Sequence, residues 1–442
     1  GDATILPASH GVWALRDVGA SSQPQFPSEY ERCEFKMSDN QLSRRRFLGV
    51  AGASVVSLLT PQLSALLKMR GVRADGVIPR VHLHTFDPSE TLTVDAVQGA
   101  MHAATDLAWL RPGDSVFVKV ASNSNLSAPS VTSPAVLEGV IRALNEAGAG
   151  TIYVGDMSGA QFVRHLAGET IGSTRENMRA NGLLAAAEAA GAVIHCFDEV
   201  PFAQAYVPGV PTGVHHWGDE LHVAEILDRV DHVVNLPRLG KHVLAGASLG
   251  LKNAVGWISD HSRMVLHRDG ATFHEKIAEL NTIPQLAGKL RLTLTLADRV
   301  LTTYGPDAGY QLPLNAPLII ASEDVVSHDQ IALLALLWAR RQTPADALTQ
   351  DPYPAQSNGL NWWFVRVTWG EEIGGYQELP TFDNLAAADA LTHINHAYDV
   401  LQGGRPAQIE VIPGAEPLHD TLVALLTQDP ELRINLRQSG GV

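Results

Sequence analysis

A cluster of basic and amide side chains occupies the middle of an otherwise acidic chain. Its members are Lys241, His242, Lys252, Asn253, Arg263, His267 and Arg268. An ammonium group and an amide beside a glycine-rich turn can surround a phosphate or carboxylate, together with helix N-terminal N–H groups. The cluster therefore predicts a site for a small anionic ligand. The alternative is a set of surface cations paired with the surplus Asp and Glu, which contributes little to stability.

Histidines are concentrated in the same central region, where eight of the 18 in the chain occur. Imidazole titrates near neutral pH and is the commonest metal ligand. We expect His242 or His267 to act as an acid–base group or a metal ligand, with His274 as a further candidate ligand. Asp298 or Asp324 would be the carboxylate partner. The chemistry predicted is proton transfer or metal-assisted reaction next to a carboxylate or phosphate.

A second, weaker pattern is the sequence Gly246-Ala247-Ser248-Leu249-Gly250, which fits the GxSxG turn of serine hydrolases. A triad would join Ser248 to an acid such as Asp324 and to His393 or His396. Neither GxGxxG after the first strand nor GxxxxGK[ST] occurs, so a conventional nucleotide site is disfavoured.

Charge and cysteine content exclude two classes of partner and cofactor. The net charge of −15 gives no positive surface for a nucleic acid. Cys33 and Cys196 are the only cysteines, whereas a cysteine-ligated iron–sulfur cluster normally takes four. A metal ion bound by this chain would therefore rest on His and carboxylate ligands.

Strand-like and helical patterns alternate along the chain. The strand-like runs are 115–120, 151–154, 193–197, 232–236, 290–296 and 318–321, and the helical patterns are 135–147, 175–190 and 328–341. Such alternation predicts an α/β fold whose mostly parallel sheet carries helices on both faces. Ligands of such sheets bind beyond the carboxyl ends of the strands. We expect a main domain over 75–341 and a smaller C-terminal elaboration over 342–442.

The N-terminal region resembles an export signal. Ser43 to Leu48 reads Ser-Arg-Arg-Arg-Phe-Leu, followed by an apolar run and a small-residue cleavage site at Ala74. We interpret 37–74 as a twin-arginine signal peptide and 1–36 as an upstream segment outside the native fold. The protein would then be a client of the twin-arginine translocase, located in the periplasm or outside the cell, or membrane-anchored if the signal is not cleaved.

Several separate segments resemble the domain of unknown function 362 family over roughly 114–334. They are DSVFVKVASN, SPAVLEGVIRALNEAGAGTIYVGD, DHVVNLPRLGKHVLAGASLGLKNAVGWI, FHEKIAELN with LTLTLADRV, and LIIASEDVVSHD. The resemblance implies an α/β domain, fused in some relatives to ferredoxin-like modules, and no settled reaction.

Carried over residue by residue, the resemblance marks a set of polar positions. They are Lys119, Asn123, Asp156, Lys241, His242, Lys252, Asn253, His267, His274, Asp298, Asp324 and Asp329. The family's Lys-Pro-Asn here reads Lys119-Val120-Ala121-Ser122-Asn123, which leaves the placement of Asn123 open. His328 also replaces a small apolar residue before Asp329.

Two main functional hypotheses follow. The first is an exported enzyme that binds a small anion through Lys241, Lys252 and Asn253, with Lys119, Asn123 and Asp156 as further ligand-binding residues. The second is a non-catalytic periplasmic ligand-binding or redox-accessory protein that partners an iron–sulfur or haem protein.

Overall fold

The computed structural model describes residues 78–349, apart from 243, 304, 306 and 308, together with residues 392–437. The predicted upstream segment and the predicted signal peptide lie outside these residues, as does the expected mature start near Asp75. Within the described ranges, no helix is both long enough and apolar enough to cross a membrane.

One large sheet of 11 strands forms the centre of the described chain, with two separate two-stranded ribbons. The strands are β1 (Arg80–Thr85), β2 (Val116–Val120), β3 (Ile152–Gly155), β4 (Arg164–His165), β5 (Thr170–Ile171), β6 (Val193–Ile194), β7 (Tyr206–Pro208), β8 (His222–Ala224), β9 (His232–Leu236), β10 (Gly240–His242), β11 (Gly246–Ser248), β12 (Leu290–Leu301), β13 (Gln311–Ser322), β14 (Ile409–Pro413) and β15 (Ile434–Leu436). Their order across the sheet is β15-β14-β1-β13-β12-β9-β2-β3-β6, with β10 beside β12 and β11 beside β10.

The sheet is mostly parallel, as predicted. Strands β12, β9, β2, β3 and β6 run in one direction. Strand β13 is antiparallel to both of its neighbours, β1 and β12. The short strand β11 is antiparallel to β10.

The helices connect these strands and cover the sheet. They are α1 (Val94–Ala104), α2 (Pro134–Glu146), α3 (Thr174–Ala180), α4 (Leu183–Ala189), α5 (Phe202–Ala205), α6 (Ile226–Arg229), α7 (Gly250–Asn253), α8 (Asp260–Arg268), α9 (Phe273–Leu280), α10 (Pro284–Ala287), α11 (Val325–Arg341), α12 (Ala345–Thr349), α13 (Thr392–Gln402) and α14 (Asp420–Thr427). Short 3₁₀ helices lie at Phe197–Glu199, Ala254–Trp257, Gly270–Thr272 and Pro430–Leu432.

Strand β2 shows how the sheet separates two hydrophobic cores. Side chains alternate across a strand, so Val116, Val118 and Val120 pack into one core with residues of α1 and α2. Phe117 packs into the other core, which α9, α11, α13 and α14 help to form. Lys119 shares the face of Phe117, where it is fully buried. The predicted helices on both faces are therefore confirmed.

The connectivity places a crevice at the carboxyl ends of the central strands. From β2 the chain proceeds outward through β3 to β6, and it then returns to β9 and β12 on the other side of β2. In open α/β sheets, ligands bind where the strand order reverses in this way. Strands β2 and β9 flank that point.

Two predicted elements differ in detail from the structure. The single helix predicted over 175–190 is divided into α3 and α4, because Gly182 adopts a left-handed φ of 87°. Only Gly and a few other residues adopt this conformation readily, and a helix cannot continue through it. The strand predicted over 193–197 ends at Ile194, and a 3₁₀ helix starts at Phe197.

The C-terminal region is continuous with the main sheet. Strand β14 pairs in parallel with β1, and β15 pairs in parallel with β14. Helix α13 packs against α9 and α11. Helix α11 is buried from Val325 to Ala339 and lies against β12 and β13.

Candidate functional site

A cavity of about 150 Å³ opens at the carboxyl ends of the central strands, at the switch point described above. Its polar walls come from the residues that follow β2, β3 and β9, from β10, β11, α7 and α8, and from the connection between β12 and β13. They include Asn123, Asp156, Arg238, His242, Ser248, Lys252, Asn253, Arg263, His267 and Asp307. Met157, Phe162, Leu244, Leu249 and Val255 supply apolar surface. The cavity thus combines several cations with an apolar lining, as small-molecule sites commonly do.

A buried ion pair lies beneath the cavity. Lys119 Nζ is 2.6 Å from Asp156 Oδ1 and donates to the Val120 carbonyl at 2.7 Å. Asp156 also accepts from the backbone N–H groups of Ser122 and Met157. Buried charges are stable only when they are paired and hydrogen-bonded in this manner. These hydrogen bonds therefore hold both side chains of the ion pair in fixed positions at the base of the cavity.

Gly256 leaves the space that the ion pair of Lys119 and Asp156 occupies. A Cβ atom at this position would lie 2.3 Å from both Asp156 Oδ1 and Lys119 Nζ. On the same side, the Trp257 ring centroid lies 5.7 Å from Lys119 Nζ. Only glycine permits so close an approach of the backbone to the ion pair.

Three buried polar side chains fix α7, which carries Lys252. Asp329 accepts from the N–H groups of Gly250 and Leu251 at 2.8 and 2.7 Å. Asn235 Nδ2 donates to the Gly250 carbonyl, and Asn281 Nδ2 donates to the Leu251 carbonyl. His328 Nδ1 lies 2.9 Å from Asp329 Oδ1. His328 therefore helps to fix the carboxylate that supports the helix carrying Lys252.

Lys252 is a lysine of the cavity wall whose charge no hydrogen-bonded partner among the described residues balances. Within the described ranges its amine makes no hydrogen bond and no salt bridge, although it lines the cavity. Burial and, to a smaller extent, the neighbouring Arg238 lower the pKa of Lys252 from its ordinary value of 10.5 to about 7, and Asp307 opposes this shift. A lysine with this pKa can serve as a cation, a proton donor or a nucleophile near neutral pH.

Arg238 and Asp307 form an adjacent polar pair. Arg238 Nη1 lies 3.9 Å from Asp307 Oδ1 and donates to the Ser130 carbonyl at 2.8 Å, while Nη2 donates to Ser248 Oγ at 3.2 Å. Burial raises the pKa of Asp307, and Arg238 opposes that shift. Asn123 Nδ2 donates to Asp307, which resolves the placement of Asn123 in the cavity wall.

The tautomer of His242 follows from its hydrogen bonds. Its Nδ1 accepts from the backbone N–H groups of Leu244 and Ala245 at 3.0 and 3.1 Å. The proton must then reside on Nε2. Burial, with a contribution from Lys252, holds the pKa of His242 well below its ordinary value. His242 is therefore a neutral hydrogen-bond donor, and this tautomer is unsuited to metal ligation through Nε2.

His267 has the opposite tautomer. Its Nδ1 donates to the Arg263 carbonyl at 2.6 Å, because a carbonyl can only accept, so Nε2 carries the lone pair. Burial lowers the pKa of His267 to about 3. Arg263 itself donates to the carbonyls of Met157 and Ser158. The cavity thus contains one neutral imidazole that donates a hydrogen bond and one that can accept a hydrogen bond.

Four of the predicted site residues lie away from this cavity. Lys241 is adjacent to His242 in β10, so its side chain leaves the opposite face of the strand. Asp298 lies in β12 and accepts from the N–H group of Arg299. Asp324 caps α11 by accepting from Ser327 N at 2.7 Å, and Gln402 Nε2 donates to it at 2.6 Å.

The fourth, His274, lies in a separate buried pair. Its ring stacks on His393, with Nδ1 atoms 3.2 Å apart and ring planes at 4°. The three predicted metal ligands His242, His267 and His274 are thus not gathered at one point. In the part of the chain that the structure describes, no three His, Cys, Asp or Glu side chains meet in an arrangement that could hold a metal ion.

The GxSxG serine lies in the cavity wall, but its predicted triad is not assembled. Ser248 Oγ accepts from Arg238. Asp324 caps α11, His393 pairs with His274, and His396 Nε2 lies 3.4 Å from Glu279. Asp324, His393 and His396 therefore each contact residues other than Ser248.

Sequence reasoning did not select Arg238 or Asp307. Arg238 lies two residues after the end of β9. Its position beyond the carboxyl end of a predicted parallel strand could have marked it as a site residue. Asp307 lies in the connection between β12 and β13, where no pattern in the sequence distinguishes it from the many other acidic residues.

Comparisons with known proteins agree with the predicted resemblance over the central region. Residues 116–333 match the family model described as Domain of unknown function (DUF362). The solved lactate racemase apoprotein from Thermoanaerobacterium thermosaccharolyticum is similar at 10% sequence identity and a TM-score of 0.34. That similarity covers 84% of this chain and 88% of the racemase chain. No curated protein matches this chain.

Proposed function

We propose that this protein, through the cavity of its DUF362 region, binds a small carboxylate and transfers a proton at it. The observation that carries the proposal is Lys252, a half-buried lysine that lines the cavity and has no hydrogen-bond or salt-bridge partner among the described residues. A buried ammonium group is costly unless an anion accompanies it. Ligand binding would supply that anion.

The remaining walls favour a small carboxylate with a short apolar body. Arg238 adds a second positive charge, and His242 offers its Nε2–H as a neutral donor. Phe162, Leu249 and Val255 contribute apolar surface next to these groups. Charge-assisted hydrogen bonds in such a partly apolar setting are stronger than in water.

The acid–base capacity rests on three groups of the same cavity. Lys252 exchanges its proton near pH 7, whereas His267 stays neutral and can accept a hydrogen bond on Nε2. An acid and a base whose pKa values differ through their environments can move a proton at a bound substrate. Asp307, whose pKa burial raises, is the carboxyl group available beside them.

Calorimetric titration with propanoate tests the binding step. We expect saturable binding to the unmodified chain and a loss of at least about tenfold in affinity for Lys252→Met, since one lost charge-assisted contact is worth about 1.4 kcal/mol or more. Affinity should also fall as the pH rises above 7, because the neutral amine no longer attracts the carboxylate.

Two controls make this titration specific. Lys289→Met removes a lysine that lies outside the cavity and donates to the Leu227 carbonyl, and it should leave propanoate binding unchanged. Propanamide has the shape of propanoate without its charge and should bind far more weakly. Equal affinity of Lys252→Met and the unmodified chain for propanoate would overturn the proposal.

A further inference from the structure

The cavity differs from an ordinary anion site in the kind of lysine that it presents. Lys119 is bonded to Asp156, Lys276 donates to the Val265 carbonyl, and Lys289 donates to the Leu227 carbonyl. Lys252 lines the cavity without such a bond in the described ranges. A hydrogen bond to an acceptor stabilises the charged form of a lysine amine, whereas a partly buried amine without such a bond loses its proton more readily.

We propose that Lys252 is a covalent site that forms an imine with the carbonyl carbon of a small α-oxo carboxylate. This inference rests on the proposed carboxylate binding by the cavity, and it adds the class of substrate. The supporting geometry is the Lys252 amine, which has no hydrogen-bonded partner among the described residues, and the Arg238 guanidinium in the lining of one cavity, the former for a carbonyl group and the latter for the neighbouring carboxylate.

The reaction is a condensation that needs no oxidant or reductant. The lone pair of Lys252 Nζ forms a bond to the carbonyl carbon, and the π electrons of the C=O bond move to the oxygen. Protonation of that oxygen and loss of a proton from nitrogen give the carbinolamine. A second proton adds to the hydroxyl oxygen, which departs as water while the nitrogen lone pair forms the C=N bond, and loss of the remaining N–H proton replaces the one consumed.

Side chains of the cavity are suited to both proton movements. His242 carries its proton on Nε2 and can donate a hydrogen bond to the carbonyl oxygen as negative charge develops there. The Asp307 carboxylate lines the same cavity, interacts with Lys252 and has a raised pKa, so it can accept the proton that leaves nitrogen. The lowered pKa of Lys252, about 7, makes its unprotonated amine accessible near neutral pH.

Charge placement also explains why the cavity would prefer an oxo acid to a simple ketone. Arg238 and Lys252 both contribute to the positive potential of the cavity. When Lys252 is neutral, Arg238 still attracts a carboxylate, since a guanidinium keeps its proton. A ketone without a carboxylate lacks that attraction.

Reductive trapping tests the proposal directly. The full chain is incubated with pyruvate and cyanoborohydride near neutral pH, digested, and mapped by mass spectrometry. We expect Lys252 to gain one carboxyethyl group before any other lysine. Acetone, which has the carbonyl but not the carboxylate, should label Lys252 more slowly, and propanoate should protect it from pyruvate.

The outcomes separate this inference from the proposed function. Propanoate binding without faster labelling of Lys252 than of Lys289 refutes the imine and leaves carboxylate binding intact. Absence of both propanoate binding and labelling refutes both proposals. Because the readout is a peptide map of the unmodified chain, a folding defect in Lys252→Met does not affect it.

Discussion

Removal of the Lys252 amine should make the protein more stable. The pKa of Lys252 in the folded chain is about 7, against an ordinary value of 10.5. Below pH 7 both the folded and the unfolded chains bind the proton, and the folded state bears the full cost of the buried charge. That cost is up to about 5 kcal/mol, since one pKa unit corresponds to 1.36 kcal/mol.

The pH dependence of this effect is its distinguishing feature. Between pH 7 and 10.5 the unfolded chain binds more protons at Lys252 than the folded chain does, so the folded chain gains up to about 1.4 kcal/mol per pH unit. Lys252→Met replaces the amine with an apolar group of similar length. Its stability advantage should be largest at or below pH 7 and should decrease as the pH rises.

Urea unfolding of both chains at several pH values between 6 and 10 measures the difference. Lys289→Met is the matched control, because Lys289 is half-buried like Lys252 but lies outside the cavity and donates to a backbone carbonyl. The control should change stability less and with a shallower dependence on pH. If Lys252→Met is less stable than the unmodified chain, or if its advantage is the same at all pH values, the amine is not an uncompensated buried charge.

Three further predictions concern the ion pair, the second imidazole and the N-terminal signal. Gly256→Ala should destabilise the protein by about 3 kcal/mol in urea unfolding, because the new Cβ would collide with the buried ion pair. Gly99→Ala is the control and should not destabilise the protein in this way, since a Cβ at that position would have no neighbouring atom within 4 Å. Between pH 6.5 and 3 the unfolded chain binds more protons at His267 than the folded chain does, so the free energy of unfolding of the unmodified chain decreases by up to about 1.4 kcal/mol for each unit by which the pH falls. Urea unfolding at several pH values in this range should show a shallower decrease for His267→Gln. Exchange of Arg44 and Arg45 for Lys should leave the protein in the cytoplasm on cell fractionation if the twin-arginine interpretation is right; unaltered export would contradict it.

The location of the cavity, at the carboxyl ends of the central strands, could be predicted from the sequence. The residues that line it could be predicted only in part. Asn123 and Asp156 follow the parallel strands β2 and β3, so their convergence depends only on strand order. Lys252, Asn253, His242 and His267 lie in one stretch of chain and were selected together.

The residues that prediction placed differently depend on long-range contacts or on local capping. Asp307 meets Asn123 across 184 positions of sequence, and no local pattern encodes such a meeting. Asp324 immediately precedes a helix, a position at which Asp commonly caps the helix N-terminus. His274 is buried by its contact with His393 of α13, which comes from a distant part of the chain.

The position of β1, β14 and β15 has a consequence for how the chain can be divided. The family match ends at residue 333, within α11, whereas β1 precedes the matched region and β14 and β15 follow it. A fragment limited to 116–333 would leave β13 without its partner β1 and would truncate a helix that is buried almost throughout. Exposed strand edges and apolar helix faces promote aggregation. The segment recognised by sequence similarity is therefore smaller than the unit that can fold, and the ends of the described chain complete the structure on which the cavity depends.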